Sequence, residues 1–436
     1  MLKAAMHLLK LPVRHLSPLF LLLFFSAIAN LTQAEPLSPA RQIEVSVVPG
    51  KDLASLLGKN FEQFSVMAIS EGQLQPIPFQ FDDRNEAGLL YVPGGKLKVN
   101  GEPGILEAQD ELAFMLKDAG NKASSDMLNA ASGTVTHELS IDAGSHQGYV
   151  YIFKDNFERS NIRYTFFDKD SGLIKTNAYT LQVNPDNLLD WSDYTYHSFA
   201  ENRSLLDTMK IRVKAKLGFI GATINNKLIP NRIVAVKNGP VKSIIEMDAT
   251  ISILGITLLN AGASVQATEN TTQFPVFVTI PSAASVLSDL KIEISLDFDQ
   301  LEGAKVRTAL GPKEPVIAGG GGADPKKLDL DFNNSWIAGS SGKNWDITAV
   351  FISDGSVELT LDPLYKDQAL GDKPDKPERI SNSHPQVGYI VSDIPTGASA
   401  MIGINLYYSD NFWQGNKPEK AAAEISHPAR VSVLAL

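Results

Sequence analysis

From Arg41 onward, apolar and polar residues alternate one for one through most of the chain. This marks half-buried strands, because successive side chains leave opposite faces of an extended backbone. Lys210 to Leu217 is the clearest case, with Lys210, Arg212, Lys214 and Lys216 on one face and Ile211, Val213, Ala215 and Leu217 on the other. The pattern predicts a strand whose cationic face is wet. Lys291 to Asp299 repeats it with an acidic outer face, and Val357 to Leu361 and Phe274 to Ile280 follow the same rule. Further strands are expected over residues 42–48, 63–69, 148–154, 162–167, 177–183, 232–236, 241–248, 348–352, 388–391 and 401–408. Clusters of Gly, Pro, Asn and Asp separate them at the spacing of antiparallel sandwiches.

Helix is scarce in this pattern. Residues 53–57, 204–209 and 283–287 could each form a short turn or helix, and 104–118 reads as a turn followed by a strand, since Glu111 to Leu116 is a compact apolar run. The expected fold is therefore mainly β: an antiparallel β-sandwich or stacked sandwiches with few short helices. A Ser/Ala/Asn/Gly-rich patch at 122–133 suggests a seam between an N-terminal β unit (41–121) and a larger β-sandwich domain (134–436). Within the latter, residues 311–325 hold four consecutive glycines and three prolines. They cannot form a central strand and predict a mobile loop, either a plain connection or a lid. The apolar stretches 218–222 and 251–259 alternate poorly and are expected to be buried on both faces, the alternative being hairpin tips that touch a membrane or a partner.

The first residues read differently. Lys3, Lys10 and Arg14 precede an apolar run from Leu16 to Ala29, and Ala27, Ala29 and Ala34 supply small residues for cleavage, the order of a secretory signal peptide over residues 1–34. The apolar run falls short of the roughly 20 residues a spanning helix needs. The chain is thus expected to be exported, to a bacterial periplasm or the cell exterior, with no transmembrane helix in its mature form. The 436 residues contain no cysteine, which excludes disulfides, thiolate catalysis and cysteine-ligated metals. The formal charge is −10, and the leader contributes only cations, so nucleic acid is an unlikely partner by charge.

Candidate chemistry begins with an acidic cluster. The segment PIPFQFDD ends in Asp82 and Asp83, and DELAFMLKDAG carries Asp110, Glu111 and Asp118. Paired strands would bring several oxygen ligands together, as calcium requires. The same aspartates could instead cap turns by accepting backbone N–H bonds. The pair of segments resembles an N-terminal signature of secreted bacterial β-rich proteins, some associated with polysaccharide breakdown in the rhamnogalacturonan-lyase-like group. In that group a compact acidic turn joins the two strands, whereas here a longer segment, Tyr91 to Gln109, stands between them.

Other chemistries are missing. Beyond the leader only His137, His146, His197, His384 and His427 remain, none at zinc-site spacing. There is no G-x-S-x-G elbow and no P-loop. Aromatic and polar residues cluster at Trp191, Tyr194, Tyr196 and His197, at Trp336 and Trp345, and at Tyr408 and Trp413. With Arg203 they could stack on and hydrogen-bond a sugar at the rim of a sandwich, or they could be core packing. A lyase would need a base and a cation, for which Arg203, Arg232, Lys237, Tyr196 and His197 are the available types. The favoured reading is an exported, non-catalytic binding or accessory protein that recognises a glycan or an envelope protein partner. A carbohydrate-active, lyase-like enzyme and a component of an envelope assembly or transport system are the alternatives.

Overall fold

The computed structural model describes residues 36–85, 88–99, 101–381 and 384–436, so the leader expected over 1–34 lies outside the described residues. The alternation becomes pairing: the described strands form five sheets, antiparallel throughout. The chain is mainly β, with stacked sheets and few short helices. No described helix is long and apolar enough to cross a membrane.

Two sheets enclose the N-terminal core. Val45–Pro49, Glu111–Met115 and Phe79–Asp82 make one of three strands. Phe64–Ser70 and Gln73–Pro76 join Thr134–Asp142, Gln147–Lys154 and the last strand, Arg430–Ala435, in the other. Val48, Phe81, Leu112 and Phe114 pack there with Val66, Leu139, Val150 and Ile152. Two strands beyond the expected seam at 122–133, and the end of the chain, thus return to the N-terminal sheet. Local periodicity locates strands but not their partners, which is why the seam looked like a boundary.

The larger part is built on two facing sheets. The long sheet has nine strands in the order Asn231–Asn238, Ser243–Ile253, Ile256–Ala267, Thr271–Ile280, Ala398–Ser409, Asp346–Ser353, Trp336–Ser340, Lys305–Thr308 and Val316–Ile317. The facing sheet has five: Ile220–Asn225, Leu206–Leu217, Ser288–Phe298, Gln386–Ser392 and Thr360–Lys366. A four-stranded sheet runs from Thr165–Asp168 to Asn187–Tyr196 beside them. Inner-facing residues of all three contribute to one apolar core.

Several elements depart from the pattern. Residues 204–209 open the strand Leu206–Leu217 rather than a helix, and the strand expected at 357 begins only at Thr360. The helix Pro418–Ser426 was not anticipated, although Pro418 in its first turn and the good helix formers that follow favour it. The glycine-rich loop is an anchored edge. Gly319 to Gly322 all take positive φ, between 69° and 113°, which glycine alone adopts readily. Val316–Ile317 pairs with Lys305–Thr308, and the Gly319 N–H donates to Asp367 at 2.8 Å.

Candidate functional site

The strand Leu206–Leu217 presents two faces, and neither lies open to water along its first half. On the outer face Lys210 is 1% and Arg212 2% exposed. The Lys210 ammonium bonds the carboxylates of Asp297 and Glu378, the latter at 2.8 Å. Arg212 donates to the Asp375 carboxylate at 3.2 Å and to the carbonyls of Asp375 and Lys376, both at 3.0 Å. Asp207 accepts the Ile380 N–H at 2.8 Å. The segment 375–380 therefore lies across the sheet and replaces water with opposite charge, so the wet cationic face expected from alternation is buried there. Oxygens of Asp207, Asp297 and Glu378 lie within 4.8 Å of one another, but the cation among them is Lys210 itself. Burial pushes the Asp207 carboxyl up, opposed by the Arg379 and Ile380 N–H groups. For Asp375 burial is outweighed by Arg212 and Lys366, and the carboxyl sits below its ordinary range.

The acidic cluster is also brought together, since Phe79–Asp82 and Glu111–Met115 do pair, with Asp82 opposite Glu111. Asp82 is fully buried and bonds Lys237 at 2.7 Å and Gln80 at 2.8 Å, with Lys242 at 3.6 Å. Burial would raise this carboxyl, but the two ammonium groups hold it below the usual value. Glu111 is bound by Lys242 and by Arg84, whose Nε lies 2.7 Å away. Asp83 accepts the Gly104 N–H at 2.9 Å, and Asp110 accepts those of Arg84 at 3.0 Å and Glu107 at 2.7 Å. Asp118 accepts the Tyr164 hydroxyl at 2.7 Å. Burial raises both Asp110 and Asp118 to about 6. Calcium wants six to eight oxygens. Here cations or N–H groups occupy Asp82, Asp83, Asp110 and Glu111, and Asp118, which accepts a hydroxyl, keeps one unpartnered oxygen, well short of that number. The cluster instead ties the three-stranded sheet to Lys237 and Lys242 of the long-sheet side.

The aromatic residues are mostly interior. Trp191, Tyr194, Tyr196, Trp345, Tyr408 and Trp413 are buried, and Trp336 is half-buried against Phe412 and Trp413. Tyr194 packs on Tyr179 and Tyr408 at 5.7 and 5.0 Å between ring centroids. His197 is exposed and bonds the Asn177 carbonyl at 2.9 Å, while Arg203 is pinned to the Asp299 carbonyl at 2.9 Å. The rings therefore offer no row of open faces to a sugar at the rim. Arg232 bonds Asp248 and Lys237 bonds Asp82, so the residue types suited to a lyase do not converge with Arg203.

What the structure does contain is a slot between the long sheet and the facing sheet, with about 210 Å³ of free volume. Its walls include Ile211, Phe274, Val276, Ile294, Leu296, Ile402 and Ile404, apolar residues at mid-strand that are only half-buried. One cause is a row of small side chains across the long sheet, where Ala249 pairs with Ala261, Ala261 with Val278 and Val278 with Ala400. The wall from Ile292 to Phe298 is about 20 Å long at the rise of an extended strand. Across the six strands from Ser243–Ile253 to Trp336–Ser340 the slot is about 24 Å wide. It is thin and flat.

Its polar atoms are already bonded. The indole N–H of Trp191 donates to the Leu188 carbonyl at 3.1 Å and that of Trp345 to the Tyr194 hydroxyl at 3.2 Å. Tyr389 donates to the Ser335 carbonyl at 2.8 Å, and Ser295 accepts from Gln386 at 2.9 Å. Ser340 accepts the Gly342 N–H at 3.1 Å, and the Lys305 ammonium reaches Asn416 at 3.0 Å. Trp191 and Trp345, singled out from the sequence, do line this slot. The rest of its wall was missed, because alternating Ile, Val and Ala look the same in a filled core as in an unfilled one.

No family model and no curated protein matches the chain. Among solved structures, an α-mannosidase from Enterococcus faecalis V583 is similar over 90% of this chain, at 11% identity and a TM-score of 0.46. A protein in the glycosyl hydrolase family 38 from Enterococcus faecalis is similar over the same share, at 9% identity and a TM-score of 0.47. A GalM/aldose epimerase homologue from C. elegans aligns with 56% of this chain and 98% of its own, at 10% identity and a TM-score of 0.33. This chain covers 44% and 46% of the two Enterococcus faecalis proteins, less than half the length of either.

Proposed function

We propose that the protein is a non-catalytic binding protein that holds an apolar molecule, an extended chain or a flat ring system, between its two large sheets. The observation that carries this reading is the unfilled apolar slot. Left empty, 210 Å³ at about 24 cal/mol per Å³ would cost on the order of 5 kcal/mol, comparable with the whole stability of a domain. Water is a poor filler, because a buried water needs two to four polar partners and the polar atoms of the wall are taken. An apolar guest removes the cost. A smaller engineered cavity, about 150 Å³, already admits benzene. A glycan is less suited, since it would bring hydroxyls to a wall with nothing free to receive them.

The charge pattern and apolar run of residues 1–34 support export before this binding takes place. N-terminal sequencing of the mature protein is then expected to begin at Asn30 or Glu35, and a cytosolic chain that keeps Met1 would contradict it.

The binding test is a titration of the purified protein with the apolar dye Nile red, followed by displacement with oleate. Saturable fluorescence, displaced by oleate and not by oligosaccharides, is the expected result. Oleate should also raise the melting temperature, because a ligand bound only by the folded state stabilises it. A dye that stays dark, with melting unmoved by oleate, would refute the proposal.

A further inference from the structure

A separate feature lies at one end of the sandwich. Lys216 pairs with Ser288 and Ile280 with Ala398, so the turn after Leu217 and the one-turn segment Ser282–Val286 come to the same end. The turn between Ser243–Ile253 and Ile256–Ala267 joins them, since that segment touches the latter strand. Five large apolar side chains stand exposed there: Phe219 at 97%, Val286 at 57%, Ile220 at 51%, Leu254 at 41% and Leu217 at 36%. The sequence pattern had favoured burial for 218–222 and 251–259. Residues 218–222 instead form a solvent-facing tip, and 251–259 buries Ile251, Ile253, Leu258 and Leu259 while its turn at Leu254 faces solvent.

The turns themselves are informative. Leu217 pairs with Ile220, leaving Gly218 and Phe219 as a two-residue loop with Gly218 at φ 58°. Glycine first is what that turn requires, and the second position accepts a polar residue without penalty, yet Phe occupies it. Ile253 pairs with Ile256, and Leu254 and Gly255 take φ of 51° and 77°. Asn or Asp would suit the first of these positions, whereas a bulky residue there is an outlier. Each tip thus carries an apolar side chain at a position where a polar one would be better for solubility and at least as good for the backbone.

We infer that this end docks on a lipid bilayer by inserting the tips. At about 150–200 Å² for each large side chain, the exposed fractions amount to roughly 500 Å² of apolar surface, below the ~800 Å² each partner contributes to a standard protein complex. The side chains also project from convex turns rather than lining a concave face, which suits penetration between headgroups and not a packed protein interface. Of the neighbouring cations, Lys216 pairs with Asp289 at 2.7 Å and Lys214 with Glu293, and the exposed Lys291 stands close enough to act on Asp289. Attachment should therefore need no anionic lipid and persist in salt.

The test is co-sedimentation of the mature chain with phosphatidylcholine vesicles at low and high salt, beside a Phe219→Ser, Leu254→Asn double variant. Wild-type protein is expected to sediment with the vesicles at both salt concentrations, and the double variant to partition at least about tenfold less, in proportion to the apolar area lost. Leu254→Asn suits positive φ, so the variant should melt no lower than wild type, and Nile red uptake should be unchanged. Wild type left in the supernatant, a double variant that binds equally well, or dimerisation through the tips in sedimentation velocity would each overturn the inference. The dye measurement on the same samples keeps that failure distinct from failure of the slot.

Discussion

One strand, Leu206–Leu217, shows two ways of leaving water. Its outward residues, Lys210 and Arg212, are buried under the segment 375–380, where each charge meets an opposite charge or a carbonyl. Its inward residues, Met209 and Ile211, line the slot, Met209 buried and Ile211 only half-buried. The costly groups are fully compensated, while the apolar ones, which need only volume to pack against, border the unfilled slot. Partner and position are fixed on the ionic side, since a buried pair tolerates no loss of one member. The apolar side can accept a guest because dispersion contacts are non-directional and any shape that fills the gap restores them.

Mutations should push the two faces in opposite directions. Lys210→Met leaves Asp297 and Glu378 without their ammonium, and urea unfolding should show a loss of about 3–5 kcal/mol with dye binding by the folded fraction unchanged. Ala261→Phe, in the row of small side chains, should fill the slot. It should stabilise the fold by about 1.5–3 kcal/mol and abolish Nile red uptake. If both variants destabilise and both still take up dye, the contrast between the faces fails.

Acid should separate the carboxyls more gently. Burial raises Asp110 and Asp118 to about 6 from the ordinary aspartate value of 3.8. The folded state binds their protons first, and stability should rise as the pH falls from 6 towards 3.8. Asp82 and Asp375 are lowered, so their contribution is present above 3.8 and is lost as the pH drops through their folded values. Melting temperature against pH should therefore pass through a maximum on the acid side of neutrality, and Asp118→Asn should flatten its upper limb. A curve that falls steadily from pH 7 would contradict these assignments.

Much of the architecture was legible. Period-two alternation located most strands, including Phe64–Ser70, Ser288–Phe298 and Ala398–Ser409, because a half-buried strand needs nothing beyond its own pattern. That the two acidic segments come together when their strands pair was legible, though not that Asp82 lies opposite Glu111. What alternation cannot report is what covers each face. Lys210 and Arg212 read as wet because the segment that neutralises them lies more than 160 residues away. For Trp191 and Trp345 rim and core stayed open because aromatic rings beside polar ones look alike in a loop and in a core. The slot was invisible for a related reason, since a void belongs to two sheets and is written in neither.

The central claim is that the slot holds an apolar guest, and the mass of the intact protein sprayed from a non-denaturing solution after purification without detergent tests it most directly. The account predicts peaks displaced above the polypeptide mass by an organic-extractable species that is absent from the Ala261→Phe variant. A single peak at the polypeptide mass, unchanged when oleate is added in excess, would contradict it.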